Sequence, residues 1–214
     1  MKKLIVFSLF VSSAFLIAFN ITGNGHKQQE AYVPEKLSAP EMVKWMEDPA
    51  NGFLKAGLSK GITYELLFRS PDYVVALESR GKSISPEQYE TRKKENENFL
   101  CFKLRVSEKR NRSEVLAYNI QSEEEYHARN MYYSYEFQQD IKLINDIDTI
   151  PCGLYQFVNS YGTAPYVEML FEFDIEKIKL HENITVLLRD RVFANEIKFD
   201  FDTDRFLHTP KLEL

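Results

Sequence analysis

Glycine is scarce. The chain has eight in 214 residues, about half the usual ~7%, and two of them, Gly23 and Gly25, fall in the first 25 positions. A backbone this poor in glycine has little material for phosphate-cradling loops. No P-loop, dinucleotide fingerprint or G-x-S-x-G elbow occurs. Cysteine is scarcer still, with Cys101 and Cys152 alone, which excludes a disulfide-dense scaffold. The four histidines, His26, His127, His181 and His208, show neither a helical i, i+4 pair nor a Cys–His zinc spacing. Basic charge is in deficit, with 27 Lys+Arg against 32 Asp+Glu and a net charge of −5.

Long apolar runs are confined to the start. Lys2 and Lys3 precede the uncharged stretch Leu4 to Phe19, and Asn20 to Gly25 then turns polar and small. This is the layout of a secretory signal, and the run is shorter than the ~20 residues that comfortably span a bilayer. We expect residues 1–25 to be a signal peptide, with an uncleaved N-terminal anchor as the alternative. Residues 26–37 read as a polar tether and 38–214 as a single domain. The first cysteine is Cys101, far from the lipidation position, so the expected location is periplasmic or extracellular without a lipid anchor. Removing residues 1–25 takes away two lysines and no acid, leaving 25 bases against 32 acids and a net −7. Such a chain repels nucleic acid and anionic membranes. Contact with a membrane is expected only through an uncleaved N-terminal segment. The basic clusters Arg92-Lys93-Lys94 and Lys109 to Arg112 read as solvated surface.

Three capping boxes mark helix starts: Ser38 with Glu41, Ser85 with Gln88, and Ser122 with Glu125. Helices are predicted over 39–47, 71–78, 86–96 and 123–130, the second opening at Ser70-Pro71 and ended by Gly81. Met42, Trp45 and Met46 form the docking face of the first. The three glutamates Glu123 to Glu125 match a first helical turn. Strands are predicted from alternation at 62–69 and 99–107. From Tyr132 the pattern reads as period two, with Tyr133, Tyr135 and Phe137 on one strand face that Ile141 and Leu143 continue. A turn follows at Asn145–Thr149. Further strands are predicted at 152–158, 166–173, 184–189 and 196–202. The short connections suit antiparallel neighbours. The fold class is α+β: an antiparallel meander in the C-terminal half, with short helices from the N-terminal half packed on it.

Few constellations suggest chemistry. Asp200, Asp202 and Asp204 resemble the start of a calcium loop, but Arg205 stands where glycine is needed and Lys211 where glutamate is needed. No metal and no cofactor is expected. Cys152 with His127 is a weak thiol–imidazole candidate. Cys101 and Cys152 permit one disulfide in an exported chain, or stand as two separate buried thiols. Tyrosine is the abundant aromatic feature. Gly162 and Pro165 fix a loop that presents Tyr161 and Tyr166, and with Tyr155 nearby this is the candidate binding surface.

Several segments together carry a resemblance. They are Trp45 with Glu47-Asp48-Pro49 and Asn51-Gly52, Tyr64 to Tyr73, Gln138-Gln139-Asp140, Ile150 to Tyr155, Tyr161-Gly162 and Pro165-Tyr166. The chain resembles, over residues 40–212, a family of uncharacterised exported proteins of the Bacteroidota. The resemblance implies export and a single domain and brings no activity with it. It is also a family often found as lipoproteins, a feature from which this chain departs. The expectation is an exported, non-enzymatic binding or assembly protein of the cell envelope, with a protein partner, or else a carbohydrate, and no nucleic acid. The alternatives are an envelope hydrolase using scattered carboxylates or the Cys152 thiol, and an inhibitor or chaperone of a co-encoded protein.

Overall fold

Serine caps place the helices. A computed structural model describes residues 33–79, 82–110, 113–159, 162–176 and 178–214, and all of them belong to one compact unit. At Ser85 the hydroxyl accepts the Gln88 N–H at 3.2 Å and the Gln88 side chain accepts the Ser85 N–H at 3.1 Å, so two orphan donors are satisfied reciprocally. Glu41 likewise accepts the Ser38 N–H at 3.1 Å, and Ser122 accepts the Glu125 N–H at 3.3 Å. The helices are α1 (Ala39–Met46), α2 (Pro71–Ser79), α3 (Pro86–Asn96), α4 (Glu123–Met131) and a final short α5 (Thr203–Leu207). Met42 and Met46 are buried, and Trp45 meets Phe53 at 5.4 Å between ring centres. Among the described residues no helix is long and apolar enough to cross a membrane.

The strands are β1 (Lys36–Leu37), β2 (Leu54–Ser59), β3 (Ile62–Arg69), β4 (Phe99–Glu108), β5 (Ile141–Asn145), β6 (Asp148–Pro151), β7 (Leu154–Val158), β8 (Tyr166–Asp174), β9 (Asn183–Asp190), β10 (Asn195–Asp202) and β11 (Lys211–Leu212). Two antiparallel sheets result, β2-β3-β4-β8-β7 and β10-β9-β5-β6, while β1 pairs with β11 in parallel. The class is α+β, as the alternation and short connections implied. Consecutive strands do form antiparallel hairpins, β5/β6, β7/β8 and β9/β10. The hairpins are shared between the two sheets.

Period two supplies one apolar face per strand. In the larger sheet Phe68, Phe102 and Phe171 lie in register, as do Leu66, Leu104 and Met169. In the smaller sheet Leu143, Val186 and Phe199 align. These faces meet, with Phe102 and Phe201 at 5.6 Å. The sandwich is closed on one side where β2 approaches β10. A Cβ on Gly57 would stand 3.1 Å from Ile197, so the absent side chain permits the approach. Ser59 and Asn195 hydrogen-bond there at 2.8 Å.

The other side is plugged by a helix that the sequence pattern disguised. Tyr132–Phe137 was expected to be a strand; instead α4 runs on into a π-helical turn, Tyr132–Glu136, and a 3₁₀ turn, Phe137–Asp140. The strand begins only at Ile141. Tyr133 and Phe137, four residues apart, are buried, whereas Tyr135, expected on their face, is 70% exposed. Tyr133 stacks on Phe157 at 6.2 Å and Phe137 meets Tyr155 at 6.3 Å, which fills the gap beside β7. Four strands escaped the sequence reading altogether: β2, the two-residue β1 and β11, and β6, which begins inside the expected turn. Gly81, expected to end α2, lies outside the described residues.

A buried carboxylate ties these parts together. Asp190, at the end of β9, is 1% exposed. Its Oδ2 accepts the hydroxyls of Tyr64 on β3 and Tyr133 on the π turn, each at 2.7 Å. Its Oδ1 accepts the N–H groups of Val192 and Phe193 at 2.9 and 3.3 Å. Replacing Tyr64 or Tyr133 by Phe is expected to lower the unfolding free energy by about 1–3 kcal/mol, the cost of an unmet buried acceptor. Urea denaturation reads it, and unchanged midpoints for both variants would show that the remaining donors suffice.

Burial pushes the Asp190 pKa up, against the four hydrogen bonds that favour its charged form. The folded protein then holds the proton more tightly than the unfolded chain, whose carboxyl sits near ~3.9. Between those two values the unfolded state binds fewer protons, so this group's contribution to stability falls as pH rises. The stability of the wild type relative to Asp190→Asn is therefore expected to increase as pH drops from 7 towards about 4, the unfolded value. Thermal midpoints of both proteins across that range check it, and a constant difference would contradict it.

Candidate functional site

The expected loop surface is dispersed by the fold. Tyr161 lies outside the described residues. Gly162 is exposed in the left-handed region, φ 75°, and Pro165 and Tyr166 are half-buried. Tyr166 sits on the outer face of β8, with the Arg105 guanidinium 4.1 Å from its ring centre. Arg105 is itself held by Glu168 through Nε and Nη2, at 3.2 and 2.9 Å. Tyr155 belongs to the opposite, inner face. It is in register with buried Phe171, and its hydroxyl donates to the Tyr133 carbonyl at 2.5 Å. Tyr155 and Tyr166 therefore do not share a surface, because period two in β7 and β8 sends them to opposite faces.

The two cysteines do not pair; both are free and buried. Cys101 lies on β4, in register with Glu172 on β8, and β7 begins on the far side of β8. Two strand spacings separate them, about 9–10 Å, beyond disulfide reach. The Cys152 thiol donates to the Leu154 carbonyl at 3.2 Å. Burial pushes both thiols up to about 12, so neither is a nucleophile near neutral pH. His127 instead faces Glu123 one helical turn away, at 3.5 Å.

The other acidic candidates have structural partners. Glu125 accepts the Gln121 N–H at 2.9 Å and pairs with Arg129 at 2.6 Å. These contacts, the backbone bond foremost, hold its carboxyl below the ordinary value. Asp200 accepts the Thr185 hydroxyl at 2.6 Å, and Asp202 caps α5 through the Asp204 N–H at 3.0 Å. Among the described residues no group of three or more His, Cys, Asp or Glu could hold a metal ion.

What the sequence reading missed is a groove of about 490 Å³ between the α4–π segment and the end of β7. His127, Asn130, Met131, Ser134 and Tyr135 line one wall. Their spacing is i, i+3, i+4, i+7, i+8, a single helical stripe. That stripe is legible only if the helix is carried past Met131. Phe157 and Asn159 line the other wall. Asn130 Oδ1 accepts the Ser134 hydroxyl at 3.2 Å and the Asn159 amide at 3.5 Å. Tyr135 is 70% and Met131 57% exposed at the rim. Large apolar groups left in water beside ordered amides form a surface suited to contact.

Comparison with protein-family models, with curated proteins and with solved structures finds no match.

The thiol geometry makes a direct prediction. Iodoacetamide at pH 8 is expected to leave the folded protein unlabelled and to add two labels once denaturant is present. Intact-mass measurement reads the number, and labelling of either cysteine in the native state would contradict its burial.

Proposed function

We propose that this chain is an exported, non-enzymatic binding or assembly domain of the cell envelope that holds its partner in the α4–β7 groove. The exposed pair Tyr135 and Met131 on the groove rim carries the reading. Tyrosine supplies a large amphipathic contact at low entropy cost, and methionine adapts to irregular surfaces. Both stand on a helix pinned from beneath by Tyr132, Tyr133 and Phe137, so the wall is rigid before contact. The groups best suited to covalent or acid–base chemistry, Cys101, Cys152 and Asp190, are taken up by the fold. The export part of the proposal rests on Lys2-Lys3 and the apolar run Leu4 to Phe19.

The test places a photoreactive p-benzoylphenylalanine at Tyr135 in the full chain, expressed in its own cells. A second protein carries it at Leu207, which is 81% exposed on α5. Irradiation is expected to give a discrete adduct from position 135 and not from 207. No adduct at 135, or the same products from both positions, would remove the groove as the partner site.

A further inference from the structure

We infer that the α4–β7 groove is a subsite for a neutral saccharide; this rests on the binding reading above and names its ligand class. Three observations lead there. The first is charge. The described lining residues include no Lys, Arg, Asp or Glu, although charged residues make up 28% of the chain. Among the described lining residues a charged ligand would meet only His127 as a titratable group besides Tyr135, and that imidazole already faces Glu123 at 3.5 Å; burying a charge without a free counter-ion is costly. The second is the polar inventory. Asn130, Ser134 and Asn159 bring two amides and a hydroxyl to one spot. A side-chain amide both donates and accepts, and so does a hydroxyl, which matches the vicinal hydroxyls of a sugar. Because Asn130 Oδ1 already accepts Ser134 and Asn159, the amide is oriented and its NH₂ lies on the side away from them. The third is the aromatic platform. The exposed ring of Tyr135 offers a flat face to the C–H side of a pyranose, with a polar hydroxyl at its edge. The volume of about 490 Å³ falls in the ordinary range of small-molecule sites, ~300–1,000 Å³.

The π turn explains why the platform stands where it does. Its backbone closes through the Phe137 N–H to the Tyr132 carbonyl, one residue wider than an α turn. Tyr132 and Tyr133 are thereby buried, while Ser134 and Tyr135 stay on the outward stripe with Asn130.

The test screens the full-length protein against neutral α- and β-glucan, manno-, galacto- and chito-oligosaccharides, with the corresponding uronides as charged counterparts. Titration calorimetry is expected to show saturable binding of at least one neutral series with Kd at or below about 1 mM. Tyr135→Ala and Asn130→Ala should each weaken it about tenfold. Tyr135→Phe should retain it, since the ring provides the platform, and uronides should bind more weakly. Should Asn130→Ala lose the fold by circular dichroism, Tyr135→Ala decides the question, because its side chain is mostly in solvent. Three results would each overturn the saccharide assignment: no neutral series binds, binding survives the alanine substitutions, or uronides bind equally well. If the glycans fail while photocrosslinking from position 135 traps a discrete protein, the saccharide falls and the groove reading stands. If both fail, both fall.

Discussion

Asp190 is the point on which the two sheets and the plug agree. Burying a carboxylate is unfavourable unless its lone pairs are met. Here they are met by one donor from the five-stranded sheet, one from the π turn, and two from the backbone that follows β9. Each partner is therefore constrained in direction as well as distance. Apolar packing alone would tolerate a small slide of one sheet over the other; two tyrosine hydroxyls on one oxygen do not. Asn195 extends the constraint to the β2/β10 side, donating to the Tyr64 hydroxyl at 3.0 Å and to the Ser59 carbonyl at 3.2 Å. A second buried acid, Asp72, has the same function at the helical end. It accepts the Tyr89 hydroxyl at 2.6 Å and the Leu212 N–H at 2.8 Å, fastening α2 to α3 and to β11.

How much of this was legible depended on whether the cue was local. The Ser85–Gln88 box fixes a helix start from four residues, and α3 begins where it points. β3, β4, β8, β9 and β10 each carry enough alternation to declare a buried face, and their ends fall within one or two residues of expectation. β2 does not. Leu54 to Ser59 has a mixed pattern, because β3 pairs with it and β10 approaches across Gly57, and neither fact is written in the segment itself. β6 is four residues with no buried side chain; only its pairing with β5 makes it a strand. Asp146, at φ 58°, turns that hairpin in two residues.

Tyr132–Phe137 shows the opposite failure, a cue that is present and misleading. Aromatic residues at 133, 135 and 137 satisfy period two, and tyrosine and phenylalanine favour strands. The burial that decides the matter is at 132, 133 and 137. A widened helical turn satisfies it, because Tyr132 reaches Asp140 and the Arg189 carbonyl at 2.9 and 3.1 Å while Tyr133 reaches Asp190. The candidate site was hidden by the same misreading. Read as a strand, Tyr135 belongs with Tyr133 and the stripe 127/130/131/134/135 does not exist. Read as a helix, the stripe is plain.

Fold and groove thus share one cause. The hydrogen bonds that draw Tyr132 and Tyr133 inward leave Ser134 and Tyr135 on the outer wall, so the outward face is set by the buried one. This bears on electrostatics as well. Without its first 25 residues the chain carries a net −7, and the charges of the surface act over a screening length of about 8 Å in physiological salt. On the proposed reading, the described groove lining, with no Lys, Arg, Asp or Glu, sits in a chain whose net negative charge disfavours anions. The proposed preference for an uncharged ligand then requires no dedicated filter. It follows from where the π turn puts its polar side chains and from the acidic residues the rest of the chain displays.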